Sequence, residues 1–193
     1  MTNRGPILSV ASLVAAMLAQ PAASQTAPNM VATRDVAVSY RSIGGDAPPG
    51  TLRMSWLAAA RQLRTDVPGI GWSVADHRAG TGFMVVEEER RILPLPPQVV
   101  SRQLGPSPAA TFTREGNDRV AGQGCTIWRY QEGADQGRIC LTADGVMLRS
   151  QGTTGGISGG VEAVTVTYAP QDPAQFQPPE GYQRVQPRQP RTR

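Results

Sequence analysis

Apolar and polar residues alternate along most of the chain, which is typical of β-strands with one buried face. Residues 35–41 alternate in this way, and so do residues 51–57. Further segments with strand character are 61–67, 72–77, 83–86, 111–113, 118–121, 125–130, 138–142, 146–149 and 163–168. Strands at this spacing predict a mainly β protein, built as a single curved antiparallel sheet or half-barrel.

Glycine and proline separate these segments. Ala143-Asp144-Gly145 has the composition of a tight hairpin turn. Residues 152–160, GTTGGISGG, predict a flexible loop, because they lack the lysine and the strand-to-helix setting of a phosphate-binding loop. The one convincing helix is short, over residues 98–103, and it follows prolines that a helix tolerates only near its start.

The N-terminus has the three parts of a secretory signal peptide. Arg4 precedes an uncharged, largely apolar stretch over residues 7–19, and small residues follow at 22–24. The apolar stretch is shorter than the roughly 20 residues that a membrane-spanning helix needs. We therefore expect cleavage near Ser24 and Gln25, a single β-rich domain over residues 25–183, and a periplasmic or secreted location.

The two cysteines, Cys125 and Cys140, flank a turn-rich stretch over residues 132–137. A hairpin centred there would set them across from each other, and an exported protein folds in an oxidising compartment. The spacing is not that of a Cys-x-x-Cys redox motif. We predict a structural disulfide that closes a loop of about 15 residues and contributes about 3 kcal/mol to stability.

Charge and composition narrow the classes of function. All 19 basic residues are arginine, so Schiff-base lysine chemistry is excluded, and a single histidine excludes a multi-histidine metal site. Residues 184–193 form an Arg- and Pro-rich tail that we expect to be disordered; its four basic residues are Arg184, Arg188, Arg191 and Arg193. The preceding domain has 14 arginines against 15 acidic residues, which does not fit a nucleic-acid-binding face. The tail could contact an anionic envelope surface weakly.

Four stretches together carry a family resemblance. They are residues 122–130 (GQGCTIWRY), 139–146 (ICLTADGV), 164–168 (VTVTY) and 176–182 (FQPPEGY). They resemble a family of exported bacterial proteins of unknown function whose fold is similar to the LolA-like lipoprotein carriers, over residues 33–185. The resemblance implies an open, strongly curved antiparallel sheet with a concave apolar face, which in the carriers accepts acyl chains under helical lids. This chain offers only the short helix over 98–103 as a lid.

The sequence contains few candidates for catalysis or metal binding. His77 follows Asp76 at a predicted hairpin end, where strand neighbours point to opposite faces, so we expect a surface histidine rather than a catalytic dyad. Glu87 and Glu89 could pair on one strand face, but a solvated strand end is the expected role. Three methionines could suggest a soft metal, yet they lie in separate apolar strands: Met54, Met84 and Met147. We expect no enzyme, metal or cofactor.

Large apolar side chains indicate a binding face. Six of them are expected to point inward from one sheet: Met54, Trp56, Trp72, Val74, Phe83 and Val85. A face closed by a packed helix would be core, whereas an open concave face would be a pocket of the kind that takes lipid. We expect a monomeric, non-enzymatic protein that binds an apolar or acyl ligand or a lipoprotein in the cell envelope. The alternative is an envelope interaction module that binds protein or glycan through a sheet edge or the tail.

Overall fold

The computed structural model describes residues 26–45 and 50–186. They form one sheet of 12 strands, one short α-helix and one 3-10 helix. The strands are β1 (Val36–Ile43), β2 (Thr51–Leu57), β3 (Gln62–Val67), β4 (Gly71–Asp76), β5 (Thr81–Val86), β6 (Arg91–Pro94), β7 (Thr111–Val120), β8 (Gln123–Glu132), β9 (Asp135–Leu141), β10 (Met147–Thr154), β11 (Ile157–Thr167) and β12 (Gln183–Arg184). The α-helix α1 spans Pro97–Arg102, and the 3-10 helix spans Pro173–Phe176. The predicted signal peptide lies outside the described residues.

The sheet is centred on β1, which pairs antiparallel with β2 on one side and with β11 on the other. Two antiparallel meanders extend from β1. One runs through β2 to β6, and the other runs from β11 back to β7. The strand β12 adds to β6 in parallel, which makes the sheet mixed, and β7 forms the opposite edge. The sheet is not closed into a barrel. The predicted fold class, a single curved and mainly β sheet with little helix, is confirmed.

The prediction of a flexible loop over residues 152–160 is wrong. This stretch is the end of β10, a two-residue turn at Gly155-Gly156, and the start of β11. Both turn glycines have positive φ, which matches the twist of a tight hairpin. The glycines on the strands permit close backbone approach, since a Cβ on Gly152 would lie 2.3 Å from the carbonyl oxygen of Gln136.

The disulfide between Cys125 and Cys140 is present, with 5.4 Å between the two Cα atoms. The turn at residues 133–134 sets a register in which Cys140 lies opposite Ile127. The cysteines are therefore diagonal neighbours on one face rather than directly opposite residues. Since disulfides persist in oxidising compartments, this bond indicates an exported protein.

Within residues 26–45 and 50–186, the structure has no helix with the length and apolar character to cross a membrane.

The sheet region β2–β5 has two faces with different coverings. Trp56 lies opposite both Val36 and Leu63 on one face, which we call the cavity face. Val74 lies opposite Phe83 on the other face, which we call the strap face. It is covered by residues 169–186, the strap, which includes the 3-10 helix and ends beside β6.

The strap corrects the predicted start of the tail. Arg184 belongs to β12, and the amide of Val185 donates to the carbonyl of Ile92 at 2.9 Å. Strand pairing with β6 therefore orders residues that lack an apolar cluster of their own. The remaining tail residues, Arg188, Arg191 and Arg193, lie outside the described residues.

Candidate functional site: an apolar cavity on one face of the sheet

The structure does not bring the six predicted binding residues together. Met54 and Trp56 are on the cavity face. The other four are on the strap face, where cross-strand pairs join Trp72 with Val85 and Val74 with Phe83. The separation arises between β3 and β4, because their register places Ala75, and not Val74, opposite Leu63. A shift of one residue in register exchanges the two faces of a strand, and the alternation within a strand does not reveal it.

A small apolar cavity of about 60 Å³ lies on the cavity face. The sheet side of its wall comes from three adjacent strands, with Val36, Val38, Tyr40, Met54, Trp56 and Leu63. The opposite side comes from two segments outside the sheet, residues 30–32 and residues 97–104 (α1 and the turn after it), which we call the cover. The cover contributes Met30, Ala32, Gln103 and Leu104 to the wall.

The cover is attached to the sheet by a few specific contacts. The indole Nε1 of Trp56 donates to the carbonyl of Ala32 at 2.8 Å. The amide of Thr33 donates to the carbonyl of Asp144 at 3.0 Å, in the predicted Ala-Asp-Gly turn. That turn needs glycine at 145, since a Cβ there would lie 2.4 Å from the carbonyl oxygen of Val31. The methionine at 30 and the leucine at 104 thus reach the cavity from segments without strand structure.

The polar groups of the cavity wall differ in whether they have partners. The hydroxyl of Tyr40 donates to the carbonyl of Met147 at 2.6 Å, and burial raises the pKa of this phenol above its ordinary value. The indole of Trp56 is satisfied by the cover. In contrast, Oε1 of Gln103 is buried and has no hydrogen-bond partner among the described residues. Gln103 was not singled out in the sequence, where nothing distinguishes it from other glutamines.

A second, larger cavity of about 470 Å³ adjoins the first and has a more polar wall. Gln103 and Met147 belong to the walls of both cavities. Its other wall residues include Ser107, Tyr130, Glu132, Ser150 and Val161. The residues shared by the two walls are therefore one from the cover, Gln103, and one from the start of β10, Met147.

His77 lies in the turn after β4, as expected, but it is half-buried rather than exposed at the surface. Its ring lies 5.9 Å from the ring of Trp56, centroid to centroid, and Nε2 has no partner among the described residues. Burial and nearby Arg61 lower the pKa of His77, while Asp76 opposes this shift. The carboxylate of Asp76 accepts from the amides of Arg78 and Ala79, so it does not orient the imidazole.

The two glutamates do not form a carboxylate pair on a strand. Both lie in the turn between β5 and β6. Glu87 accepts hydrogen bonds from Trp72 Nε1 at 2.7 Å and from the Tyr182 hydroxyl at 2.5 Å, which lowers its pKa. Glu89 pairs with Arg91 at 2.7 Å. Glu87 therefore fastens the strap to the sheet.

The structure offers no metal centre in the part of the chain that it describes, since no group of three or more His, Cys, Asp or Glu side chains could hold an ion there. Two of the three methionines, Met54 and Met147, line the cavity. Met84 lies on β5, opposite Ser73 and Leu93. The methionines thus serve the apolar wall and the sheet.

The strap covers much of the strap face, and a cavity of about 430 Å³ remains beside it, with Val74, Phe83 and Phe176 in its wall. Phe176 is 1% exposed and packs with Leu57 and Val74. The guanidinium of Arg64 lies 3.9 Å above the ring of Trp72, and it also donates to the carbonyl of Gln175 in the strap at 2.6 Å. Of the four predicted binding residues on this face, Val74 and Val85 are buried, whereas Trp72 and Phe83 are partly exposed beside the strap.

Comparison with known proteins gives similarity of structure only, since no protein-family model and no curated protein matches the chain. An uncharacterized conserved protein from Thermus thermophilus is 16% identical, with a TM-score of 0.56 over 79% of this chain and 90% of that one. MucB is 12% identical, with a TM-score of 0.52 over 80% of this chain and 61% of its own. The MucA/MucB complex of Pseudomonas aeruginosa gives 14% identity and a TM-score of 0.53 over 78% and 58%. The chain thus spans about three fifths of the length of MucB. At these identities the likeness shows the fold, which is the LolA-like fold that MucB also has.

Proposed function

We propose that the protein is an exported, non-enzymatic binding protein of the cell envelope, periplasmic or secreted, that takes an apolar or acyl ligand, free or on a lipoprotein. The observation that carries the proposal is the apolar cavity between the cavity face and the cover. Ligand sites are mostly apolar concave spaces with few polar groups, and this wall has that composition. The LolA-like fold supports a binding or interaction role.

The size of the cavity sets a requirement on binding. At about 60 Å³ it is well below the roughly 300–1,000 Å³ of typical ligand pockets. Met30 and Leu104 occupy part of the space on the cavity face, and both come from irregular segments of the cover. Displacement of the cover, whose Gln103 belongs to the walls of both spaces, would join the apolar space to the adjoining cavity of about 470 Å³. A ligand chain would then replace the side chains of the cover against Val38, Met54 and Trp56.

The non-enzymatic part of the proposal rests on the state of the candidate catalytic groups. His77 has no carboxylate that orients it, and burial disfavours its charged form. Glu87 is engaged with Trp72 and Tyr182. The contacts of His77 and Glu87 are therefore those of residues that support the fold.

Native mass spectrometry tests the binding proposal. Mature protein purified from the exported fraction is expected to carry an adduct that solvent extraction identifies as a lipid or acyl species. Leu104→Trp, which fills the apolar space, should remove the adduct. Val99→Trp, at a 43% exposed position of α1, is the matched control and should retain it. A clean apo mass that persists after lipids are offered would reject the proposal.

A second candidate is an interaction module, and the open edge at β7 favours it. This strand is ten residues long, and among the described strands only β8 pairs with it. Edge strands can add a partner segment, although the bulge near Gly116 and the charges on β7 work against pairing. Salt-dependent retention on envelope material, lost when residues 187–193 are removed, would favour the tail as the contact. Retention that survives this deletion but is lost with Thr113→Pro would favour the edge.

A further inference from the structure

The carboxamide of Gln103 has an unusual environment for a glutamine. It follows the last residue of α1 and is one of the residues that line the apolar cavity. Oε1 is buried and lacks a hydrogen-bond partner among the described residues. A buried acceptor without a donor is destabilising, because it has lost its water and gained nothing in return.

Two donors in the described wall of the small cavity already have other acceptors. The Tyr40 hydroxyl donates to the Met147 carbonyl, and Trp56 Nε1 donates to the Ala32 carbonyl. The remaining wall of the small cavity is mainly apolar, with Val36, Val38 and Leu63 on the sheet side. The described wall of the small cavity thus leaves Oε1 for a donor on a molecule that enters the cavity.

The backbone holds Gln103 in this place. Its amide donates to the carbonyl of Val100, and the amide of Gly105 donates to the carbonyl of Arg102. Gly105 has φ of +93°, a conformation that favours glycine and turns the chain directly after Leu104. A tight turn thus fixes the backbone of Gln103, whereas Gln98, within α1, is exposed.

We infer that the ligand is an amphiphile with an N–H or O–H donor next to its apolar chain, and that Gln103 Oε1 accepts this donor. The inference rests on the proposed function and specifies the chemistry of its ligand. Gln103 belongs to the walls of both cavities, so the donor lies where the apolar space meets the polar one. The chain would occupy the side of Val38 and Met54, and the head group the side of Ser107 and Ser150.

The inference makes a distinction between ligands of equal chain length. A primary amide such as octanamide presents an N–H donor, whereas methyl octanoate has a similar length and only acceptors. A site that leaves its own polar group unpaired discriminates against the analogue without the donor. We expect the protein to bind octanamide at least about tenfold more tightly than methyl octanoate.

Titration of both probes, followed by native mass spectrometry and by tryptophan fluorescence, tests this expectation on the mature protein. Gln103→Leu should remove the preference by weakening amide binding and strengthening ester binding. Gln103→Met is a second variant with a flexible side chain, in case leucine disturbs the turn, and thermal unfolding checks that both variants fold. Gln98→Leu, the exposed glutamine, is the matched control and should keep the preference.

Three results have distinct meanings. A preference for the amide that depends on Gln103 supports the inference. Equal binding of both probes by the native protein overturns it, with water as the partner of the carboxamide, and leaves the proposed function intact. Binding of neither probe, nor of longer acyl chains, overturns the proposed function and the inference with it.

Discussion

The two faces of the sheet region β2–β5 are covered in different ways. On the strap face the covering segment inserts Phe176 between Leu57 and Val74 and leaves the aromatic side chain 1% exposed. On the cavity face the cover leaves a void and an unpaired amide oxygen at Gln103. The same strands therefore supply core on one side and a candidate site on the other. The faces differ in composition as well as in covering, since β3 presents Arg64 and Asp66 to the strap face but Leu63 to the cavity face.

The attachments of the coverings differ as well. The strap ends in strand pairing with β6 and is fastened by Tyr182 to Glu87 and by Arg64 to the Gln175 carbonyl. The stretch of the cover after α1 is held mainly by its own turn and by contacts of Leu104 with the core. A segment with few cooperative contacts opens at lower free energy. The cavity face is thus the side on which exchange with a ligand is expected.

Truncation of the strap anchor is the strongest test of this comparison. Phe176→Ala should lower the free energy of unfolding by about 3–5 kcal/mol, because it removes a fully buried aromatic ring. Urea denaturation measures the change. The exposed Gln175→Ala is the control and should cost less than about 0.5 kcal/mol. A small effect of Phe176→Ala would show that the strap face is not a packed core.

Removal of the disulfide is expected to lower stability and to leave ligand binding unchanged. Replacing both Cys125 and Cys140 with serine should cost about 3 kcal/mol, as expected for a loop of 15 residues. Neither cysteine lines the small cavity, so ligand affinity of the folded fraction should be unchanged. Denaturation with and without reductant measures the first effect, and calorimetric titration at a temperature well below unfolding measures the second. Loss of affinity in the folded variant would contradict the separation.

Truncation of the cover should change ligand affinity more than it changes stability. Leu104→Ala is expected to cost only about 1 kcal/mol, because this side chain is half-buried. It should also tighten binding of acyl probes, since the ligand no longer has to displace the leucine. Titration with octanamide measures affinity, and urea denaturation measures stability. Weaker binding by the variant would mean that Leu104 contacts the ligand instead of competing with it.

The smallest expected effects concern pH, and they differ between the faces. The pKa of His77, next to Trp56, is lowered by burial and Arg61, so the unfolded chain binds the proton more readily. Stability is then complete above about pH 6.5 and declines as pH falls below that value. His77→Gln should remove this part of the pH dependence in denaturation curves, measured between neutral and mildly acidic pH.

Glu87 provides the contrast on the strap face. Its pKa is lowered by hydrogen bonds from Tyr182 and Trp72, so its contribution persists above about pH 4.3 and is lost as pH falls through its lower folded value. Glu87→Gln should therefore leave the mildly acidic range unchanged. If His77→Gln and Glu87→Gln altered the same pH range, the assignment of the two groups to separate transitions would be wrong.

Local pattern was informative wherever the structure depends on neighbours in the sequence. The strands β1 and β2, the turn at Asp144-Gly145 and the pairing of Cys125 with Cys140 follow from alternation and turn composition. The glycine-rich stretch over 152–160 misled, because glycines that signal a loop also permit strands to approach closely. The short strand β6 was missed since it follows a charged turn and ends in proline.

The sequence by itself determined the fold class, the disulfide and the side-chain alternation within each strand, because these depend on the period of two and on local turn chemistry. Only the tertiary structure decided which alternation faces which layer. The register between β3 and β4 placed Trp72 on the strap face, whereas Trp56 is on the cavity face. It also decided that Phe176 packs on one face and that Gln103 meets a void on the other. Such outcomes depend on contacts between distant segments, and neither register nor cover packing is encoded in the periodicity of one strand.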